Sequence, residues 1–323
     1  MRESTFSFWQ DTEFNVLPSK PLTPTDYSYH ASTGGEEECW FWEAGSPDGC
    51  YLNVSFCVCN NEGKARLMVA RPGRDVIVQE YTAPIKASTD HLDIQMAGSR
   101  IYQAGNDFYL EWRSEELRVD LVYKPLLPPW QPGQGRINYG EKGDKYLVWS
   151  VPIPRANISG KIIHKEHEES FYGEGMGEYL RYNFPLSQAL GGALKGRFYS
   201  DSYTLLWADF WGNLLYSGKH VRAFYCAHDK DVLASTGNLE VQVLEQTTKD
   251  NLTYPAELSL EAEITPLVRL DIEKTKAVGP PRLTVMGGSA ILCIGEGKLT
   301  TATAPEKRAS GRAFMETLII TRD

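Results

Sequence analysis

The sequence predicts an all-β protein made of antiparallel strands in two successive halves. Three observations carry that prediction. Short runs alternate apolar with polar residues, turn-forming clusters separate them at intervals of ~8–12 residues, and helical periodicity is nearly absent. Strands at that spacing belong to sandwiches and barrels, because parallel units would need helices between them.

In the first half the runs are CYLNVSFCVC, ARLMVAR, DVIVQEY, HLDIQMA, DFYLEWR and LRVDLVYK. Each is rich in β-branched and aromatic residues, which fit a pleated, half-buried surface. The breaks SPDG, NNEG and RPGR supply the turn chemistry. KPLLPPWQPGQG is a Pro- and Gly-rich crossing, after which KYLVWSVPIP resumes the strand pattern. ISGKIIH, SYTLLWADF, VRAFYCA, LEVQVLE, AELSLEAEI, LVRLDIE, PRLTVMG, AILCIGEG and RAFMETLIITRD make the second half. PLSQALGGAL is the one stretch that reads as a helical turn. A length of 323 residues suits two domains of ~150. We place them at residues 1–155 and 156–323, with the boundary in the region of Pro152 to Gly160. The halves share no sequence repeat.

The net charge of −9 argues against a nucleic-acid backbone or an anionic lipid surface as partner. Aromatic content of 11%, with 8 Trp and 17 Tyr, suits an apolar, aromatic-lined cavity and a hydrophobic small-molecule ligand. No run approaches the ~20 apolar residues of a membrane span. The N-terminal stretch MRESTFSFWQDTEFNVLPSK lacks the apolar core of a secretory leader, so a cytoplasmic location is expected. Reduced, half-buried thiols are then expected for the six cysteines, and the sequons at Asn53, Asn157 and Asn251 carry no meaning. Oligomeric state is left open, a homo-oligomer included.

FYGEGMGEYLRYNFPL, residues 171–186, departs from the ordinary strand pattern. Its glycines 173, 175 and 177 do not make a dinucleotide fingerprint, which needs a different spacing between a strand and a helix. Glycine at alternate strand positions leaves one face bare, which permits a bend or a close approach. His164 and His167 in HKEHEE would fall on opposite faces of a strand, so a solvated turn is expected there and no metal site. No nucleophile elbow, phosphate loop or zincin motif is present. What remains is carboxylates beside aromatics: Glu174 and Glu178 with Tyr172, Tyr179 and Tyr182, and Glu38 and Glu43 around CWFW. A carboxylic acid against aromatic walls can serve as a general acid, and aromatic faces stabilise a nearby cation. The same carboxylates could equally accept hydrogen bonds structurally.

Three stretches together resemble the lipocalin-like family of carotenoid 1,2-hydratase (hydroxyneurosporene synthase), which includes AttH-type proteins and fungal Diels–Alderases. ECWFWEAGSPDG, residues 38–49, is similar to the family's E-W-W-Y-F-D-A and its D-G turn. YLVWSVPIPRANISGKI, residues 146–162, is similar to its inter-domain Y-F-x-W-x-V-P-x-P-R segment. GMGEYLRYNFPL, residues 175–186, aligns with its G-Y-H-D-H-N-W-G-N-x-P-L. Gly196-Arg197, SYTLLWADFWGN and the closing GRAFME follow at the family's spacing. The acidic position survives as Glu178, while its flanking histidines are Gly177 and Tyr179 and the motif Trp is Arg181. The Trp residues before the Gly-Arg pair are Ala193 and Lys195 here.

The resemblance implies two lipocalin-like barrels packed together, with a ligand pocket between them and no cofactor or metal. Catalytic roles then fall on Glu178, Tyr179 and Arg181. Substrate contacts fall on Glu38, Trp40, Trp42, Trp149, Glu174, Met176, Tyr182, Lys195, Tyr199 and Trp207, with Trp40 and Trp42 facing the same pocket as Glu178 and Tyr182. The implied activity is cyclisation or isomerisation of a polyene or prenylated intermediate, such as a terpenoid or polyketide, in natural-product biosynthesis. Hydration of an isoprenoid double bond with Glu178 as acid, and ligand binding without catalysis, stand as alternatives.

Overall fold

A computed structural model describes residues 21–30, 36–59, 62–140, 143–264, 267–284, 288–302 and 307–320. The stretch read for a leader therefore lies wholly outside the described residues. The described chain is nearly all β and forms two compact units.

The first unit comprises Pro21–Gln131 and Leu147–Asn183. Its strands are β1 (Glu37–Gly45), β2 (Tyr51–Cys59), β3 (Glu62–Ala70), β4 (Ile77–Ala87), β5 (Asp93–Met96), β6 (Ser99–Ala104), β7 (Asp107–Arg113) and β8 (Leu117–Pro125). The short strand β9 (Arg136–Tyr139), which belongs to the second unit, precedes two long ones, β10 (Lys145–His164) and β11 (His167–Tyr182). Strands β1 to β8 pair in sequence order as a meander, β11 adds beside β1, and β10 adds beside β8. Pairing of β10 with β11 joins the two ends and closes a ten-stranded barrel. Closure removes both free edges.

Alternation sorts the side chains of this barrel. Trp40, Trp42 and Ala44 of β1 point inward with Leu52, Val54, Phe56, Trp112 and Tyr123, and fill the interior. Trp42 meets Tyr123 edge-on at 4.9 Å and Phe108 at 5.9 Å. Residues 24–27 form a 3₁₀ turn whose Tyr27 enters the same core, and its carbonyl accepts the Trp40 indole N–H at 2.8 Å.

The second unit comprises Pro132–Tyr146 and the chain from Phe184 on. Its strands are β12 (Leu190–Tyr199), β13 (Tyr203–Gly212), β14 (His220–His228), β15 (Asp231–Thr236), β16 (Leu239–Lys249), β17 (Leu252–Ala262), β18 (Val268–Ala277), β19 (Arg282–Thr284), β20 (Gly288–Thr301) and β21 (Lys307–Ile319). They form one open sheet in the order β15-β14-β13-β12-β21-β20-β18-β17-β16, with β19 beside β20. Leu194, Phe198, Trp207, Leu260, Leu270 and Met315 lie in its core. Both units thus have the lipocalin-like all-β character that the sequence predicts.

Three local expectations meet a different outcome. PLSQALGGAL makes only a 3₁₀ turn at Leu186–Gln188 before β12 begins at Leu190, because two consecutive glycines and a β-sheet partner on each side favour strand over helix. His164 and His167 do not split between faces: they flank a hairpin turn and pair directly across it. Their setting is the solvated turn expected, with His167 beside Glu169 at 3.1 Å. Reduced cysteines were expected throughout, yet Cys39 and Cys57 are joined by a disulfide. They stand opposite each other in the β1–β2 register with Cα atoms 4.1 Å apart, and this pairing is invisible until the hairpin register is known.

Candidate active-site residues

Strand β11 explains the unusual stretch first. Gly175 stands where β11 crosses close to β1, and a Cβ there would run into the Glu43 carbonyl. Gly177 lies under the Trp42 indole, and a Cβ would sit 3.3 Å from its nitrogen. The glycines therefore serve tight strand approach over a bulky aromatic core.

With the odd positions turned inward, the even positions Glu174, Met176, Glu178 and Tyr182 project from the other face. Glu178 is only 5% exposed. It stands opposite Phe41 in the β1–β11 register and accepts the Trp149 indole N–H at 2.9 Å. Trp149 meets Trp130 edge-on at 5.4 Å. One register step away, buried Met176 lies opposite Glu43, which is itself buried and accepts from Asn53 at 3.3 Å. The arrangement is a buried carboxyl in an aromatic wall, with an indole N–H among its donors.

Glu174 is tied to Arg155 through its Nε at 2.9 Å and is more open to solvent. Tyr182 is buried opposite Glu37. Burial pushes the hydroxyl of Tyr182 well above its usual pKa and also raises the carboxyl of Glu37.

The inward face holds a second polar group. Tyr179 is fully buried and its hydroxyl donates to Glu38 Oε2 at 2.9 Å. The His30 backbone N–H donates to both Glu38 oxygens at 3.1 Å, and His30 Nδ1 lies 3.2 Å from Oε2 and 3.0 Å from the Tyr179 hydroxyl. Arg181 stands opposite Glu38 in the register. Glu38 thus anchors His30 to the barrel wall. Trp40 and Trp42 share this inward face, so the structure separates them from Glu178 and Tyr182 by the thickness of the sheet.

In the second unit, Gly196 is required because a Cβ would overlap the ring of Trp207, a core residue. The next residue, Arg197, emerges on the opposite face, 4.3 Å from the Phe314 ring centroid, and burial lowers its pKa to about 10. Tyr199 shares that face and is buried beside Phe314. Lys195 pairs with Glu316 at 3.2 Å, and Arg282 forms an ion pair with the same carboxylate. Burial alone would raise the Glu316 carboxyl. Lys195 and Arg282 outweigh it and bring the pKa down to about 2.

Sequence reasoning passed over His30, Arg282 and Glu316. A lone glutamate in the apolar run AFMETLII was a signal for Glu316, since a buried strand tolerates a charge only when it is paired. Nothing local marks His30 or Arg282. Among the described residues no three His, Cys, Asp or Glu side chains gather as metal ligands, and no helix is long and apolar enough to cross a membrane.

No sequence-family model and no curated protein sequence matches the chain. Solved structures do. A protein described as AttH from Nitrosomonas europaea is 14% identical, with a TM-score of 0.66 over 94% of this chain and 98% of its own. CghA is 12% identical, with a TM-score of 0.68 over 98% of each chain. Kievitone hydratase from Nectria haematococca is 11% identical, with a TM-score of 0.63 over 98% of this chain and 99% of its own. The chain therefore has the two-domain lipocalin-like fold shared by AttH, CghA and kievitone hydratase, as its motifs imply.

Proposed function

We propose that the protein is a cofactor-independent cyclase or isomerase acting on an apolar polyene or prenylated intermediate of natural-product biosynthesis. The observation that carries this reading is Glu178, a buried carboxyl set among Trp149, Trp130 and Phe41 and bonded to an indole N–H. Arg181 stands three residues on, across the strand from Glu38, so it does not share Glu178's face. In that setting Glu178 passes a proton to an alkene, or donates a hydrogen bond to a carbonyl, while the aromatic faces favour the cation that develops. Orientation of a folded polyene supplies the rest of the rate, since fixing reacting carbons in a near-attack geometry removes much of the entropic barrier. Tyr179 and Arg181 act from the opposite side of β11 by fixing the strand that carries Glu178.

A fold neighbour supports enzymatic chemistry on this scaffold: the name of kievitone hydratase states a hydration. Hydration is the second reading, in which water traps the cation that Glu178 generates. A carrier that holds its ligand inside the barrel is disfavoured, because Trp40, Trp42, Phe56, Trp112 and Tyr123 already fill the first barrel.

The test is wild type against Glu178→Gln on linear polyene and prenylated precursors, with products followed by mass spectrometry in normal and deuterated water. Loss of turnover in the variant, with solvent deuterium in the wild-type product, supports proton-initiated chemistry. Full turnover in the variant without deuterium removes the acid role. Binding without turnover by either protein overturns the enzyme reading.

A further inference from the structure

Away from these residues, the first barrel carries a row of outward side chains in register across five strands. Tyr102 of β6, Tyr109 of β7, Val122 of β8, Ser159 of β10 and Tyr172 of β11 stand side by side. Their chain neighbours Ile101, Leu110, Leu121, Ile158 and Phe171 are core residues, which fixes the row on the outer face. A second row runs beside it: Arg100, Glu111, Asp120, Lys161 and Ser170. Tyr109 and Val122 of the first row, with Glu111, Asp120, Lys161 and Ser170 of the second, line an open trough of about 390 Å³.

One rim of the trough is a prebuilt aromatic plate. Tyr109 stacks on Tyr102 at 4.8 Å with planes 9° apart, and the Arg100 guanidinium covers the Tyr102 ring at 4.1 Å. Asp93 holds Arg100 at 2.8 Å, and the Tyr102 hydroxyl donates to Glu111 at 3.2 Å. Beyond the trough, on the same face of β11 as Ser170, stands Tyr172, which is 68% exposed. Three strand spacings of ~4.8 Å separate Tyr109 from Tyr172, ~14 Å in all. Cross-strand stacking explains Tyr102 with Tyr109 as sheet packing. It does not explain Tyr172, whose register neighbour is Ser159.

The polar row sets the ligand chemistry. Lys161 pairs with Glu168 at 3.3 Å and Arg113 with Asp120 at 2.5 Å, so charges of both signs are already balanced along the trough. A polyene would strip water from these pairs and offer no hydrogen bond in return. A strongly charged ligand would meet repulsion from one sign as well as attraction from the other. A neutral ring compound with an apolar face and many hydroxyls matches both rows. We propose that this trough and the neighbouring Tyr172 together bind a neutral oligosaccharide, its ring faces on Tyr109 and Tyr172 and its hydroxyls on Glu111, Asp120, Lys161 and Ser170. The binding is non-covalent and independent of any reaction at Glu178.

Native electrophoresis through gels containing laminarin, xyloglucan, galactomannan or amylose tests it on the full chain. Wild type should be retarded in at least one gel. Tyr172→Ala should bind that polysaccharide at least about tenfold more weakly, the scale of a lost aromatic contact. Lys161→Ala should weaken binding less. Tyr172 is exposed enough that its replacement should leave the melting temperature unchanged, which calorimetry checks. Retardation in none of the four gels overturns the proposal, as does equal retardation of the Tyr172→Ala protein. A dimer in wild type that Tyr172→Ala dissociates also overturns it, and would assign the face to a second copy of the chain.

Discussion

Glu178 and Glu316 are both about 5% exposed, and each sits on a strand of its own unit with an aromatic or apolar cross-strand neighbour. Their partners differ. Glu316 lies between Lys195 and Arg282, which hold its carboxyl down to about 2 and make it a permanent anion in the neutral range. Glu178 accepts from an uncharged indole. The contrast shows that burial by itself does not mark a general acid. Two cations turn a buried carboxylate into a brace, whereas an indole donor adds a hydrogen bond without a charge.

The comparison can be broken at either end. Glu178→Gln should lower product formation by ~10²–10⁴-fold, the range of a lost general acid, while leaving the urea midpoint nearly unchanged. Glu316→Gln should do the opposite. It removes the carboxylate between two buried cations and should cost roughly 3–5 kcal/mol of stability, read from urea unfolding. If the two variants exchange phenotypes, Glu316 carries the chemistry and the reading of Glu178 fails.

Smaller changes sharpen the contrast. Trp149→Phe removes the donor to Glu178 but keeps an aromatic wall, and should cost about 1–3 kcal/mol, divided between turnover and stability. Steady-state kinetics beside a melting curve separates the two shares. The pH dependence of Glu316 has a defined sign. Its folded pKa of about 2 lies below the ordinary value of 4.5, so its stabilisation is complete above that ordinary value and is lost as pH falls toward 2. The stability gap between wild type and Glu316→Gln should therefore be constant at neutral pH and shrink between about pH 4.5 and 2. A gap that persists below pH 2 would show that the side chain matters by shape and not by charge.

The fold was legible because period-two patterning survives in nearly every strand, and because the β1, β10 and β11 motifs kept their order and spacing. The place of Glu178 on a strand was legible for the same reason. The sides of the sheet were not. Trp40 and Trp42 read equally well as pocket or core, and only the β1–β11 register, with Gly177 under Trp42, puts them inside the barrel. Glu38 and Tyr179 looked available for chemistry, yet they hold His30 in place, a contact between residues too far apart for local pattern to reveal. Lys195 read as a donor to substrate, and its partner Glu316 lies more than a hundred residues downstream. Local alternation tells which residues share a face. It does not tell what the face meets.

Closure of the first barrel by β10 and β11 also sets a timetable. Glu37 has no partner on its β11 side until Tyr182 has been synthesised. At ~5–20 residues per second on the ribosome, strands β1 to β8 spend on the order of ten seconds as a meander with two raw edges. Such edges are where chains pair with one another. A nascent chain of this protein should thus be a client for chaperones that bind exposed strands. Its yield should depend more on how fast β10 and β11 arrive than on how stable the finished barrel is.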